Sequence, residues 1–238
     1  MAGADAGSLS LWERIVNETT RSVANDVYAA LVGADLVFLD IGRDAYHCLP
    51  DVDPELASPF AAHAIANLPE ALAAELANVG LLSHAPRLRN RRPFIFDPAR
   101  SDLMAQGDVS ASASERLSMV AATFSMARHF HGRPLKYLID RASQRCARTQ
   151  IPLGAPGALE LRRVQVFREL LPWVPQQGAC LYRCVLLLKF LRQAGLDAHW
   201  VFGVRTWPFS AHCWLQAGDV VFDDPADYVG RFTPILVV

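Results

Sequence analysis

Residues 211–225 read "AHCWLQAGDVVFDDP". Polar and apolar residues alternate through this stretch, the period of a half-buried strand. His212 and Trp214 therefore share one face. Ala217-Gly218-Asp219 offers a turn, and a return strand over about Val220–Asp223 runs into Asp224-Pro225. What precedes the hairpin decides how it is read. In "GACLYRCVLLLKFLRQAG" (178–195), residues 180–193 are apolar on nearly every face of a helix that Gly195 terminates. Such a helix is central and buried.

Cys180 stands in the first turn of that helix. Free N–H groups and the helix dipole favour a thiolate there, so its pKa is expected to fall. Cys184 lies one turn deeper, where burial raises a thiol, and is the weaker candidate. His212 is the candidate base for the thiol, and a carboxylate behind the imidazole would fix its tautomer. A three-residue turn sets His212 opposite Asp224; a two-residue Gly218-Asp219 turn sets Asp223 diagonal to it on the same face. Register alone leaves both aspartates open.

The chain has 238 residues, 52% hydrophobic and 20% charged, enough for a substantial core in one large domain or two small ones. A net charge of −1 argues against nucleic acid as a partner. The start, "MAGADAGSLSLWERIVNE", lacks the basic and apolar regions of a secretory signal. The longest clean apolar run, about Val185–Leu188, falls far short of the ~20 residues that span a bilayer. Five cysteines without framework spacing read as reduced thiols. The expectation is a cytoplasmic protein with no membrane segment.

Residues 26–51, "DVYAALVGADLVFLDIGRDAYHCLPD", carry strand-forming runs at Val27–Val32, Leu36–Ile41 and Ala45–Leu49, separated by turn residues. This spacing predicts a three-stranded antiparallel meander. "PELASPFAAHAIANL" (54–68) and "PEALAAELANVG" (69–80) predict helices, and "RRPFIFDP" (91–98) one more strand. A small sheet with helices and a late strand suggests a winged-helix-like module. The Ser-, Ala- and Gly-rich residues 101–115 read as a linker. Three helices follow, in "RLSMVAATFSMARHF", "LKYLIDRASQRCAR" and "ALELRRVQVFRELL".

The order "ACLYRCVLLLKFLRQAG", "VFGVRTWPFSAHCWL" and "FDDP" resembles the lasso-peptide maturation proteases (the B proteins). Their catalytic domain is related to transglutaminases and arylamine acetyltransferases. In that superfamily a Cys opens a helix, an H-x-W strand follows, and an Asp-Pro sits on the next strand. The resemblance maps these onto Cys180, His212 and Asp224, and so favours Asp224 over Asp223. "GADLVFLDIGRDAYHCLP" resembles the PqqD-like leader-recognition domain of the same pathway.

Together these imply an α+β protein in four parts. Residues 1–25 are an N-terminal extension, 26–100 the winged-helix-like leader-binding domain, 101–115 a linker, and 116–238 a transglutaminase-like, papain-like cysteine protease domain. The implied substrate is a lasso precursor peptide, its leader added as a strand at a sheet edge near Leu36, Val37, Phe38, Leu39 and Asp40, with Tyr46 nearby. Cys180 would cleave the leader–core bond, with its own N–H and Gln176 or Gln177 as oxyanion donors. A partner lactam synthetase, asparagine-synthetase-like and ATP-using, would then close the ring. No cofactor or metal is expected in this chain, which has no P-loop signature.

Competing readings are a non-catalytic leader-binding scaffold and an acyltransferase, which shares the acyl-enzyme. A zinc site of Cys180, Cys184, His199 and His212 would put two ligands on one helix with no second paired motif. His129 and His131 suit a helix end, the Arg89–Arg92 region a solvated basic patch, and Cys48 strand packing.

Overall fold

The computed structural model describes residues 21–53, 64–65, 69–83, 97–104, 109–149, 154–175 and 179–238. They form two compact units, one up to Ser83 and one from Asp97 onward that also takes in 41–45.

Among its described residues the N-terminal unit contains two small sheets and a helix. Strands β2 (Val27–Val32), β3 (Asp35–Asp40) and β4 (Ala45–Leu49) are neighbours in that order, as the turn spacing predicts. Gly33 holds φ +62 in the two-residue β2–β3 turn, a conformation suited to glycine. β1 (Arg21–Val23) pairs antiparallel with β5 (Ala64–Ile65) and β6 (Leu82–Ser83) in the second sheet. Helix α1 (Glu70–Asn78) begins after Pro69 and ends just before Gly80, at φ +80. Val23, Val27, Leu36, Phe38, Leu76 and Leu81 share one core.

Three expectations change here. Arg21–Val23 belongs to this unit rather than to the extension, and Val23 is fully buried. Ala64 and Ile65, expected within a helix over 54–68, pair as strand; the rest of that segment lies outside the described residues. The proposed edge strand is not an edge: β3 is bonded on both sides, and Leu36, Val37, Phe38, Leu39 and Asp40 are all buried. Four consecutive apolar residues fit a strand covered on both faces. Tyr46 lies on β4, an outer strand of that sheet among the described residues, and is half-buried.

The C-terminal unit packs helices against a five-stranded sheet of order β11-β8-β9-β10-β7. Its strands are β7 (Ser101–Asp102), β8 (His199–Arg205), β9 (Ser210–Ala217), β10 (Val220–Val221) and β11 (Thr233–Val237). Helices α2 (Ala113–Phe130), α3 (Leu135–Thr149) and α4 (Ala158–Leu170) precede α5 (Cys180–Arg192). A short α6 (Ala226–Val229) lies between β10 and β11.

Ser112 caps α2, accepting from the Glu115 N–H while Glu115 accepts from the Ser112 N–H. α5 packs against α2, α4 and β9 and buries eight residues, Tyr182 to Leu191, on most of its faces. Gly195, at φ +75, follows its end.

The expected linker over 101–115 carries structure of its own. Ser101–Asp102 pairs parallel with β10, Leu103 is buried, and α2 starts at Ala113. A two-residue edge strand is too short for alternation to reveal. The strand expected over 91–98 lies mostly outside the described residues, and Asp97–Pro98 is not strand. Among the described residues no helix is long and apolar enough to cross a membrane.

Candidate active site

Cys180 is the first residue of α5, after Ala179 in extended conformation. Its own N–H therefore has no intrahelical acceptor. The side chain is half-buried. β9 carries His212 toward it, and the two side chains are within hydrogen-bonding reach. His212 Nε2 contacts Asp224 Oδ2 at 3.2 Å. That leaves Nδ1 as the ring nitrogen for the thiol. The expected trio of Cys180, His212 and Asp224 is thus brought together.

Asp224 reaches His212 by a route that register counting misses. Val220 pairs with Ala217 and Val221 with Gln216, so the loop is the two-residue Gly218-Asp219 with Gly218 at φ +55. Continued as regular strand, that register would bring Asp223 toward His212. Instead β10 stops at Val221, and after one more bond, Phe222 N–H to the Leu215 carbonyl at 3.0 Å, residues 222–224 bend. Asp223 turns to Arg183, and Asp224 takes His212. Asp102 supports the chain just beyond Pro225, accepting the Ala226 N–H at 2.8 Å.

The His212 ring is packed by aromatic neighbours: Trp214 stacked at 6.2 Å, Tyr228 edge-on at 5.2 Å and Phe232 tilted at 5.5 Å between ring centres. Trp214 is itself fixed, because its Nε1–H donates to Gln216 Oε1 at 2.9 Å. Gln216, fully buried, donates to the carbonyls of Asp97 and Gly218, both at 2.8 Å. Gly203 pairs with His212 across β8–β9. A Cβ there would come within 2.7 Å of Trp214 Cζ3 and 2.9 Å of Phe232 Cβ, closer than side chains tolerate. Gly203→Ala should therefore push apart the residues that seat His212, costing about 1–3 kcal/mol by overpacking. A lowered urea-unfolding midpoint checks this; an unchanged midpoint would contradict it.

The electrostatics differ from the helix-start expectation. Cys180 is pushed up to about 12, first by the adjacent Cys213 thiol and then by burial, with His212 opposing. Burial pulls His212 down, but its bonds to Asp224 and Cys180 outweigh this and lift it to about 9. Cys184 is buried, its Sγ 3.8 Å from Cys213 Sγ and 3.3 Å from the Cys213 carbonyl oxygen. Burial pushes its thiol up, as the sequence suggests. The cavity behind Cys180, beside Arg183, Asp223 and Asp224, is about 10 Å³, room for roughly one water and no substrate.

Gln176 and Gln177 lie outside the described residues. Among the described residues, no group of three or more His, Cys, Asp and Glu side chains is placed to hold a metal ion. Cys48 is exposed on β4. Sequence reasoning missed Arg183, Gln216, Tyr228 and Phe232. An arginine in the first turn of an apolar helix and a glutamine in a buried strand were the available signals, since such groups are buried only with partners.

Residues 120–237 match the Transglutaminase-like superfamily, so this part of the chain carries a transglutaminase-like domain. A 45-residue stretch is 42% identical to the microcin J25-processing protein McjB of Escherichia coli. That stretch covers 19% of this chain and 22% of McjB, so the chain matches about a fifth of that relative's length. No solved structure matches.

Proposed function

We propose that the chain is a cysteine peptidase that removes the leader from a ribosomally made lasso-peptide precursor. The observation that carries this reading is the 3.2 Å contact of His212 Nε2 with Asp224 Oδ2, beside a cysteine that opens a buried helix. The similarity to a microcin-processing protein supports the substrate class.

In this reading His212 takes the Cys180 proton as sulfur attacks the carbonyl at the leader–core junction. The Cys180 N–H stabilises the oxyanion; losing one such donor costs on the order of 10²–10³ in rate. His212 returns the proton to the departing core amine, leaving the leader as a thioester on Cys180. Water, deprotonated by His212, then releases the leader acid and restores the thiol. Asp224 orients the imidazole and stabilises its charged form.

The N-terminal unit acts as the PqqD-like, winged-helix-like recognition module. The leader adds beside β4, an outer strand among the described residues, which suits strand addition better than the central β3. Joining the recognition module to the peptidase raises the effective concentration of the scissile bond. The freed core amine passes to an ATP-using lactam synthetase, and both act in the cytoplasm.

Mass spectrometry of a leader-bearing precursor incubated with the protein tests the reading. The expected result is two fragments split at one bond, the leader ending in a free acid. Tight binding with the precursor left intact, the synthetase included, would favour the scaffold. A leader product carrying an added amine would favour acyl transfer, the chemistry that the superfamily match keeps in view.

A further inference from the structure

Arg183 lies three residues after Cys180 on α5, nearly one turn along the helix. Its Nε and Nη2 donate to Asp223 Oδ2 at 3.0 and 2.7 Å, and Nη2 also donates to the Asp223 carbonyl. Asp223 Oδ2 and the main-chain oxygen of the same residue are thus held by one guanidinium. Burial pushes the Asp223 carboxyl up while Arg183 opposes it, so the contact keeps a charge in a place that disfavours one.

The location of this contact gives it meaning. After the Phe222 N–H bond to the Leu215 carbonyl, residues 223 and 224 have left the strand ladder, so regular sheet bonding no longer fixes their direction. The gripped Asp223 carbonyl belongs to the planar peptide unit that leads into Asp224. An anchor on Asp223 therefore also aims Asp224. The anchor sits on the helix that carries the nucleophile, so one rigid element sets both ends of the triad.

We propose that Arg183 is a positioning residue for the triad: by gripping the Asp223 carboxylate and carbonyl, it holds the bend that presents Asp224 to His212. This rests on the triad reading above. Arg183 touches none of the reacting atoms; it acts through Asp223 and Asp224.

The test compares Arg183→Met, Asp223→Asn and Arg183→Lys with the wild type, using the full chain. Two readouts need no peptide substrate: the His212 imidazole titration by NMR, and the pH dependence of Cys180 alkylation by iodoacetamide, mapped by mass. A loosened Asp224 no longer lifts His212. In Arg183→Met and Asp223→Asn its pKa should fall from about 9 by ~1 unit or more. Arg183→Lys keeps one donor and should retain most of the lift. With precursor peptide, Arg183→Met should lower kcat on the order of 10²-fold, the cost of a small misplacement, with KM little changed.

An ion pair with a purely structural role would lower the unfolding midpoint and leave the His212 titration where it was. That outcome in the folded variants overturns the proposal. If Arg183→Met does not fold, the isosteric Asp223→Asn decides. The two claims fail separately. A shifted His212 titration with no peptide cleavage by the wild type refutes the peptidase reading alone. Cleavage that needs Cys180 but is indifferent to Arg183 and Asp223 refutes the positioning role alone.

Discussion

Cys180→Ala should abolish peptide-bond cleavage, with a fall on the order of 10⁶-fold in kcat, in a protein that stays folded. The size follows from the chemistry: without the sulfur there is no acyl-enzyme, and His212 has no proton to take. The fold tolerates the change because Cys180 is half-buried at the very start of α5, whereas the body of the helix holds its packing. The same logic ranks the two aspartates. Asp224→Asn removes the carboxylate 3.2 Å from His212 Nε2 and allows the wrong tautomer, a loss on the order of 10⁴-fold. Asp223→Asn leaves that contact's atoms in place and only loosens their support, so its loss is on the order of 10². Steady-state kinetics on the three variants checks the order. A larger loss at Asp223 than at Asp224 would mean that Asp223 is the carboxylate behind His212.

The second large effect is on pH. The His212 pKa is raised to about 9 because its bonds to Asp224 and Cys180 outweigh burial. Below that pH the ring is an imidazolium beside a protonated thiol and has no room for the thiol's proton. kcat/KM should therefore fall about tenfold for each unit below about 9, and rise steadily from neutral pH. Asp224→Asn removes a group that raises the imidazole, so its acid limb should move to lower pH even as its maximum rate drops. A pH–rate profile that is already flat at pH 7, or an Asp224→Asn limb displaced upward, would contradict this account.

Much of the site was legible because its parts are local. A helix apolar on nearly all faces, opened by Cys180 and stopped before Gly195, can pack only at the centre of a domain. The β8–β9 and β9–β10 hairpins follow from alternation and from Gly218. What sequence could not give was where regularity ends. Counting residues back from the Gly218-Asp219 turn points to Asp223, yet the strand stops at Val221 and the bend delivers Asp224 instead. Strand order is equally nonlocal. β3 carried a usable signal, since the unbroken run Leu36–Leu39 marks a strand covered on both faces, and that argues against an exposed edge. β7 carried none: two polar residues gain their place through parallel pairing with β10 and through the Asp102 bond to the Ala226 N–H. The Cys180 pKa departs from the helix-start expectation for a related reason. The helix start is visible in the sequence, whereas the Cys213 thiol that pushes Cys180 up comes from a strand more than thirty residues away.

In the proposed reaction Cys180 carries the leader as a thioester. Acid-quenching the enzyme during turnover of a precursor peptide, followed by intact-mass measurement and peptide mapping, tests it most directly. The expected result is an adduct equal to the leader acyl group, located on Cys180, and no cleavage by Cys180→Ala. An adduct on another residue, or cleavage that survives in Cys180→Ala, would contradict it.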